Sequence, residues 1–479
     1  MALLIIHGRK GYLNALNYCH GNDTDDDTAH MLAAMNAAVA QRRTLWVPAG
    51  TYLLSSALTP PAGLIMRGAG DSTYLHGKVR STPHMTIHQM KIGTEIAGDV
   101  YDAAFGVNDC HAMQCNGVTF TGGSGNSTQV GAVLGWWGKD FYDCEFNDCV
   151  IDGDLAKTLR NDVSCVNYGQ ADARLYDVIW NRCTFAATGR MGVEVLSRSD
   201  EVHTYDYPVQ NFSFYGCTFE QMGTISLSYG FHALHNETPP DGLGGDGWGQ
   251  DGYSFIHDCH ITDPGMVAGG VAIELAPAVH MDIRRDHIVV SADATNCTNF
   301  FSITNGTGQT ELGYADTHNG VSAEIDTGGS VFDELELDAH LSASCSCTFR
   351  NSGWTLSDST IISRGITTFD NVRNATVTGN TITVVGADGE TPHTTKNAVR
   401  IQGSDGITLS GNSFVSGITY STQGTVFLLN DGRAATNPAV NIVLNGNTYA
   451  TGNKSVYVSA DSTASGTDKA TLGAGWVEA

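Results

Sequence analysis

Glu194 and Glu274 each stand between apolar neighbours, in M-G-V-E-V-L and G-V-A-I-E-L, and Ser226 holds the same place in T-I-S-L-S. If Val193, Val195, Ile225, Leu227, Ile273 and Leu275 point into a core, alternation sends the three intervening side chains to the opposite face of a strand. Strands stacked about 4.8 Å apart would separate the two carboxylates by roughly 9.6 Å over two steps. Inverting glycosidases hold an acid and a base about 6.5–9.5 Å apart, leaving room for a water. The chemistry expected of Glu194 and Glu274 is therefore glycoside hydrolysis, one group as general acid and the other as base. The plainer alternative is solvated acidic surface, in a chain with 50 aspartates and glutamates.

The segments after these strands carry groups suited to sugar hydroxyls. S-R-S-D-E-V-H-T-Y-D-Y supplies Arg198, Asp200, His203, Tyr205 and Tyr207. S-Y-G-F-H-A-L-H-N-E supplies Tyr229, His232 and His235, and the glycine-rich insertion beyond it supplies Trp248. Aromatic and hydrogen-bonding side chains on loops above a rigid sheet suit carbohydrate, so these residues and Ser226 are the expected substrate-binding set. Asp241, Asp246 and Asp251, at five-residue steps in the same insertion, are a weak calcium-binding candidate that lacks the spacing of an EF-hand loop, and the plainer reading is a glycine loop with solubilising aspartates. No metal site and no cofactor are expected.

The elements that would position these residues repeat along the chain. V-I-W-N-R-C-T-F, F-S-F-Y-G-C-T-F and S-F-I-H-D-C-H-I each give a short alternating strand, a polar corner at Cys183, Cys217 or Cys259, and a second strand. Later the corner is Ser359, Asn380, Asn412 and Asn447. Intervals of roughly 20–45 residues that vary while the pattern holds indicate a solenoid rather than a propeller. Small polar corner residues would stack from coil to coil and satisfy backbone groups. The fold class expected is all-β, a parallel β-helix.

The net charge of −25 excludes the basic stripes of a nucleic-acid-binding surface. Acidic excess with scarce lysine suits either a high-salt setting or an ordinary acidic soluble protein. Glycine far exceeds proline, 56 to 11, as many tight corners require. The twelve cysteines show no C-x-x-C pair, and Cys183, Cys217 and Cys259 are expected to stack as thiols. No apolar run has the length of a membrane span, and Ala2 to Ile6 is too short for a secretory core.

H-G-N-D-T-D-D-D-T-A-H-M-L-A-A-M-N-A-A, then L-W-V-P-A-G-T-Y-L-L-S-S-A-L, then L-I-M-R-G-A-G-D-S-T resembles the opening of pectate-lyase-like right-handed β-helix proteins. It is particularly similar to the form found in phage tailspikes and tail-associated depolymerases. The resemblance covers Gly21 to Gly77. It implies a right-handed coil and a capping α-helix containing Met31, Ala34, Met35, Ala38 and Val39. Asp26 or Asp27 stands at the start of that helix. The N-T-D and H-G motifs of polygalacturonases and the D-P-H-E motif of mannuronan epimerases are absent.

The expected organisation is a lead or attachment segment over 1–20, the capping helix and first coils over 21–77, and a central β-helix over 78–275. Irregular rungs or a β-rich insertion follow over 276–350, further coils over 351–458, and a tail over 459–479. The resemblance implies a viral tailspike or tail fibre, homotrimeric and joined to other tail proteins through its N-terminus. It would recognise, and with the glutamate pair depolymerise, a host cell-surface polysaccharide or glycoprotein, without nucleic acid or membrane insertion. The rival readings are a non-catalytic receptor-binding adhesin and a secreted polysaccharide lyase or hydrolase.

Overall fold

The computed structural model describes residues 11–94, 103–122, 131–136, 138–153, 163–170, 175–186, 191–197, 210–221, 223–228, 254–265, 271–276, 281–303, 330–343, 345–429, 438–450 and 454–478. The chain divides into two compact units, Met1–Thr218 and Phe219–Ala479.

In the first unit, strands Phe141–Asn147, Val150–Asp152 and Val163–Gln170 are followed by Leu175–Asn181, Thr184–Ala186 and Met191–Ser197. Each strand of the first triplet pairs in parallel with its counterpart in the second, as in Phe146↔Trp180, Ile151↔Phe185 and Val166↔Val193. Two strands of each triplet belong to one sheet and the third to another. The second unit repeats this arrangement. Thr355–Ser357, Thr360–Ser363 and Thr367–Arg373 pair with Thr376–Thr378, Thr381–Val384 and Val399–Gln402. Strands that pair with the strand three places along the chain give the topology of a parallel β-helix with three strands per coil.

The alternation read from the sequence has a direct structural cause. Val178, Trp180, Cys183 and Phe185 are buried while Ile179 and Asn181 are half-exposed, because successive side chains of a strand point to opposite faces. Aromatic side chains stack between coils of the first unit, with Phe146 and Trp180 at 3.8 Å and 11° between ring planes. Phe332, Phe349, Trp354 and Phe369 form an aromatic cluster in the second. Within 276–350, strands Met281–Arg284, His287–Val289, Val331–Asp333 and Glu336–Ala339 keep the same parallel pairing.

A left-handed residue precedes each corner. Asp148, Arg182 and Gly216 in the first unit, and Asp258, Arg285, Glu334 and Asp358 in the second, all have φ between 45° and 59°. The next residue then turns inward: Cys149, Cys183, Cys217, Cys259, Asp286, Leu335 and Ser359 are all buried. Eleven cysteines among the described residues are free thiols, every one buried.

The N-terminal expectation is corrected in part. An α-helix forms over Thr28–Ala40 and buries Met31, Ala34, Met35 and Ala38, with Val39 half-exposed. Asp26, not Asp27, receives the Thr28 backbone N–H, at 3.0 Å. The helix is not an N-terminal cap in the element order. Strands Tyr12–Asn14 and Asn22–Asp26 precede it and pair with Thr44–Trp46 and Gly50–Leu53. Leu13 is inward and apolar enough for the first of these to join the sheet ahead of the helix. The other α-helix among the described residues, Thr467–Leu472, lies at the C-terminal end. Among the described residues no helix is long and apolar enough to cross a membrane.

Candidate functional site

The expected glutamate column meets the structure at three points. In the first unit, Glu194 stands on Met191–Ser197 opposite Asn167, between fully buried Val193 and Val195. Its side chain is only 3 % exposed, where alternation alone predicts an open face. In the second unit, Ser226 and Glu274 are register partners, and Glu274 pairs onward with Ser302; at these three positions the backbone alone is described. Arg198, Asp200, His203, Tyr205, Tyr207, Tyr229, His232, His235 and Trp248 lie outside the described residues, as do Asp241, Asp246 and Asp251.

A second group of residues, absent from the sequence-based set, is assembled in the first unit. Gly63, His84, Ala112, Asp143, Asp177 and Asn211 occupy one position in six successive coils, and all are left-handed, with φ from 48° to 73°. The non-glycine members depend on the surrounding pairing to hold that conformation, which is uncommon away from glycine, asparagine and aspartate. Just beyond them, Ile65, Thr86, Gln114, Glu145 and Ile179 form a parallel column in register. The two columns line a pocket of about 560 Å³.

One residue before the left-handed column runs an aromatic ladder. His111 stacks on Tyr142 at 5.1 Å and 6°, and Tyr142 on Tyr176 at 4.8 Å and 19°. His84 meets His111 edge-on at 4.9 Å. Because the rings cover one another's faces, the ladder offers ring edges and phenol oxygens along its length. Such a rim is apolar in its body and polar at its tips.

The acidic groups are fixed differently from one another. The Ser213 hydroxyl donates to Asn211 Oδ1 at 2.8 Å, and Asn211 Nδ2 donates to Asp177 Oδ1 at 2.7 Å. Asp177 is thus oriented by a chain anchored on a fully buried serine. Partial burial, and then the Asp177 charge, push the Asp143 carboxyl above the usual range, while His111 pulls it back. Glu145, beside them, accepts weakly from Asn181 at 3.4 Å. Adjacent strands lie about 4.8 Å apart, close to the carboxyl separation of about 5–5.5 Å in retaining glycosidases. A carboxyl raised above the usual range beside one that is oriented by a donor is the division of labour acid–base chemistry needs.

The sequence did carry a signal for this group. Aligning the repeats on Cys149, Cys183 and Cys217 places Asp143, Asp177 and Asn211 in one column, each six residues before its cysteine. Tyr-Asp occurs in both F-Y-D-C and L-Y-D-V, preceding the strand residues on which the sequence reading concentrated.

Neither the protein-family models nor the curated proteins contain a match to this chain. Among solved structures, the A-module of a mannuronan C-5 epimerase of Azotobacter vinelandii is 14 % identical, with 95 % of this chain and 100 % of that one covered and a TM-score of 0.34. The catalytic unit of a GH87 α-1,3-glucanase from Streptomyces thermodiastaticus is 12 % identical, over 93 % of this chain and 69 % of that one, at 0.44. PfbA, a surface adhesin of Streptococcus pneumoniae, is 11 % identical, over 93 % and 91 %, at 0.38. The fold assignment rests on the strand registers, not on these superpositions.

Proposed function

We propose that this chain binds an extended polysaccharide outside the cell and cleaves a glycosidic bond in the pocket lined by Asp143 and Asp177. The observation that carries this reading is the pairing of those carboxylates, one coil apart in the pocket lining, with the His111–Tyr142–Tyr176 ladder one residue along the chain from that lining. In this reading Asp143 donates a proton to the leaving oxygen and Asp177, held by Asn211, attacks or activates water. The aromatic rim and Gln114 position neighbouring sugar units. Asp143→Asn and Asp177→Asn should each reduce the release of new reducing ends by at least about 10²-fold. Binding, followed by retardation in polysaccharide-containing gels, should persist. Cleavage should also fall as pH rises through the raised pKa of Asp143, since the acid form is then lost. Neutral, uronate-containing and amino-sugar polysaccharides serve as probes; a wild-type chain that retards on none of them refutes the proposal.

The glutamate column is a second reading, favoured by the enclosure of Glu194 and the register of Ser226 with Glu274. Glu194→Gln and Glu274→Gln in the same assay separate the two. If they abolish cleavage and the aspartate variants do not, the acid and base belong to the glutamates.

The finer form of the proposal is a right-handed tailspike or tail fibre: a homotrimer seated on a virus particle through its first twenty residues, working in high salt. The resemblance over Gly21 to Gly77 supports it. Sedimentation should then give a trimer at micromolar concentration. A monomer that cleaves would favour a secreted enzyme, and a trimer that binds without cleaving would favour an adhesin.

A further inference from the structure

Away from the pocket, at the start of the chain, two histidines converge on one buried carboxylate. Asp27 is fully buried. Its Oδ2 accepts the Gly21 backbone N–H at 2.8 Å, and its Oδ1 accepts that of His20 at 2.7 Å. His20 Nδ1 lies 3.1 Å and His30 Nδ1 3.8 Å from the same Oδ1. The two imidazoles stand 5.1 Å apart, at 67° to each other. One ligand atom from each of the three side chains falls within 4.8 Å of the others.

A carboxylate oxygen has two lone-pair directions. Oδ1 already uses one for the His20 N–H, so two imidazoles face a single remaining site. A cation between the three groups removes that competition, because each neutral imidazole then contributes a lone pair instead of a proton. We propose that His20, Asp27 and His30 bind a divalent transition-metal ion of the zinc type, with water completing the coordination.

The geometry suits that ion. Zinc bonds of about 2.0–2.2 Å in a tetrahedron place ligand atoms roughly 3.3 Å apart. The His20–Asp27 edge already has that length. The Asp27–His30 edge must shorten by about half an ångström and the His20–His30 edge, within 4.8 Å, must close as well; both imidazoles are about half exposed and able to turn. Two nitrogen ligands disfavour magnesium and calcium, which take oxygen. The two backbone N–H groups on Asp27 are the outer support that metal-binding carboxylates generally have. The ion would tie His20, ahead of strand Asn22–Asp26, to His30 in the first turn of helix Thr28–Ala40. Its role would be to fasten the N-terminal end of the solenoid, independently of the polysaccharide reading.

The test uses the full chain, free of any affinity tag and stripped with a chelator. Zinc titrated calorimetrically should bind at one site with micromolar affinity, and cobalt should give the visible spectrum of a tetrahedral centre. His20→Gln and His30→Gln should each weaken binding at least tenfold. Their melting temperatures without metal should match the wild type, and the rise that zinc gives the wild type should disappear. Asp27 is left unaltered because it holds two backbone groups. No zinc binding by the wild-type chain, or binding unchanged in both histidine variants, overturns the proposal.

Discussion

The two units solve one problem with different chemistry. At the cysteine and asparagine corners an inward side chain meets the carbonyl three residues before the preceding corner. In the first unit that side chain is a thiol: Cys149, Cys183 and Cys217 donate to the carbonyls of Cys115, Phe146 and Trp180 at 3.4–3.5 Å. In the second unit, from Asn380 onward, it is a carboxamide. Asn380, Asn412 and Asn447 donate through Nδ2 to the carbonyls of Leu356, Val377 and Leu409 at 2.9–3.0 Å. The amides also join one another. The backbone N–H and Nδ2 of Asn380 both reach Asn412 Oδ1, and those of Asn412 reach Asn447 Oδ1, all at 2.9 Å. Asp468, on the short C-terminal helix, ends the series by accepting from Asn447 Nδ2 at 2.8 Å and from the Tyr449 hydroxyl at 2.7 Å. A thiol is a small hydrophobe with a weak donor; a carboxamide is a committed network member. The first ladder should therefore tolerate replacement and the second should not.

The largest expected effect is at Asn412. Asn412→Ala removes the donor to Val377 and the acceptor of two Asn380 N–H groups, leaving several buried groups without partners. Each such group costs about 1–3 kcal/mol, so the variant should lose about 3–5 kcal/mol in denaturant unfolding. A loss below about 1 kcal/mol would mean that water or a small backbone shift replaces the amide, and the contrast between ladders would fail.

Much of this was legible before any coordinates. The corner positions Cys183, Cys217, Cys259, Ser359, Asn380, Asn412 and Asn447 follow from repeats alone, because the alternation around each is imposed by burial on one face. The pocket was less legible. Its carboxylates lie at left-handed positions that interrupt the alternation, so a reading that counts period-two matches passes over them. Asp143 is exposed between buried Phe141 and buried Cys144, which breaks the pattern rather than extending it. The enclosure of Glu194 was hidden for a different reason. Strand periodicity says which way a side chain points and nothing about what lies over it.

Asp286 tests the transition between ladders. It occupies a corner, is 1 % exposed, and accepts the Cys259 N–H at 2.6 Å, while its Oδ2 has no hydrogen-bond partner. Burial, the largest cause, raises its carboxyl well above the ordinary range. The native state therefore holds this proton more tightly than the unfolded chain. The stability from this group is fully present below the unfolded carboxyl pKa of about 3.9 and falls as pH rises towards the folded value. Asp286→Asn should abolish that decline and be more stable at neutral pH by about 1–3 kcal/mol. By the geometry of Asn380, its Nδ2 would reach the Ile256 carbonyl. Parallel stability–pH curves for wild type and variant would show that Asp286 stays ionised on folding and that the ladder ends before it.

The smallest effect is expected at Cys183, and it sharpens the comparison most directly. Burial holds this thiol far above its usual pKa, with Cys149 and Cys217 contributing, and the side chain is buried. Its hydrogen bond to Phe146 is long, at 3.5 Å. Cys183→Ala removes one sulfur from a packed interior and leaves the Phe146 carbonyl with only a weak donor lost. The cost should be about 1 kcal/mol, that of a small buried apolar group. Thiol reagents should label the wild-type position only on unfolding, which gives a second measurement on the same sample. A loss of about 3 kcal/mol or more, equal to that at Asn412, would show that the thiols form a cooperative chain like the amides. The two ladders would then differ in atoms but not in strength.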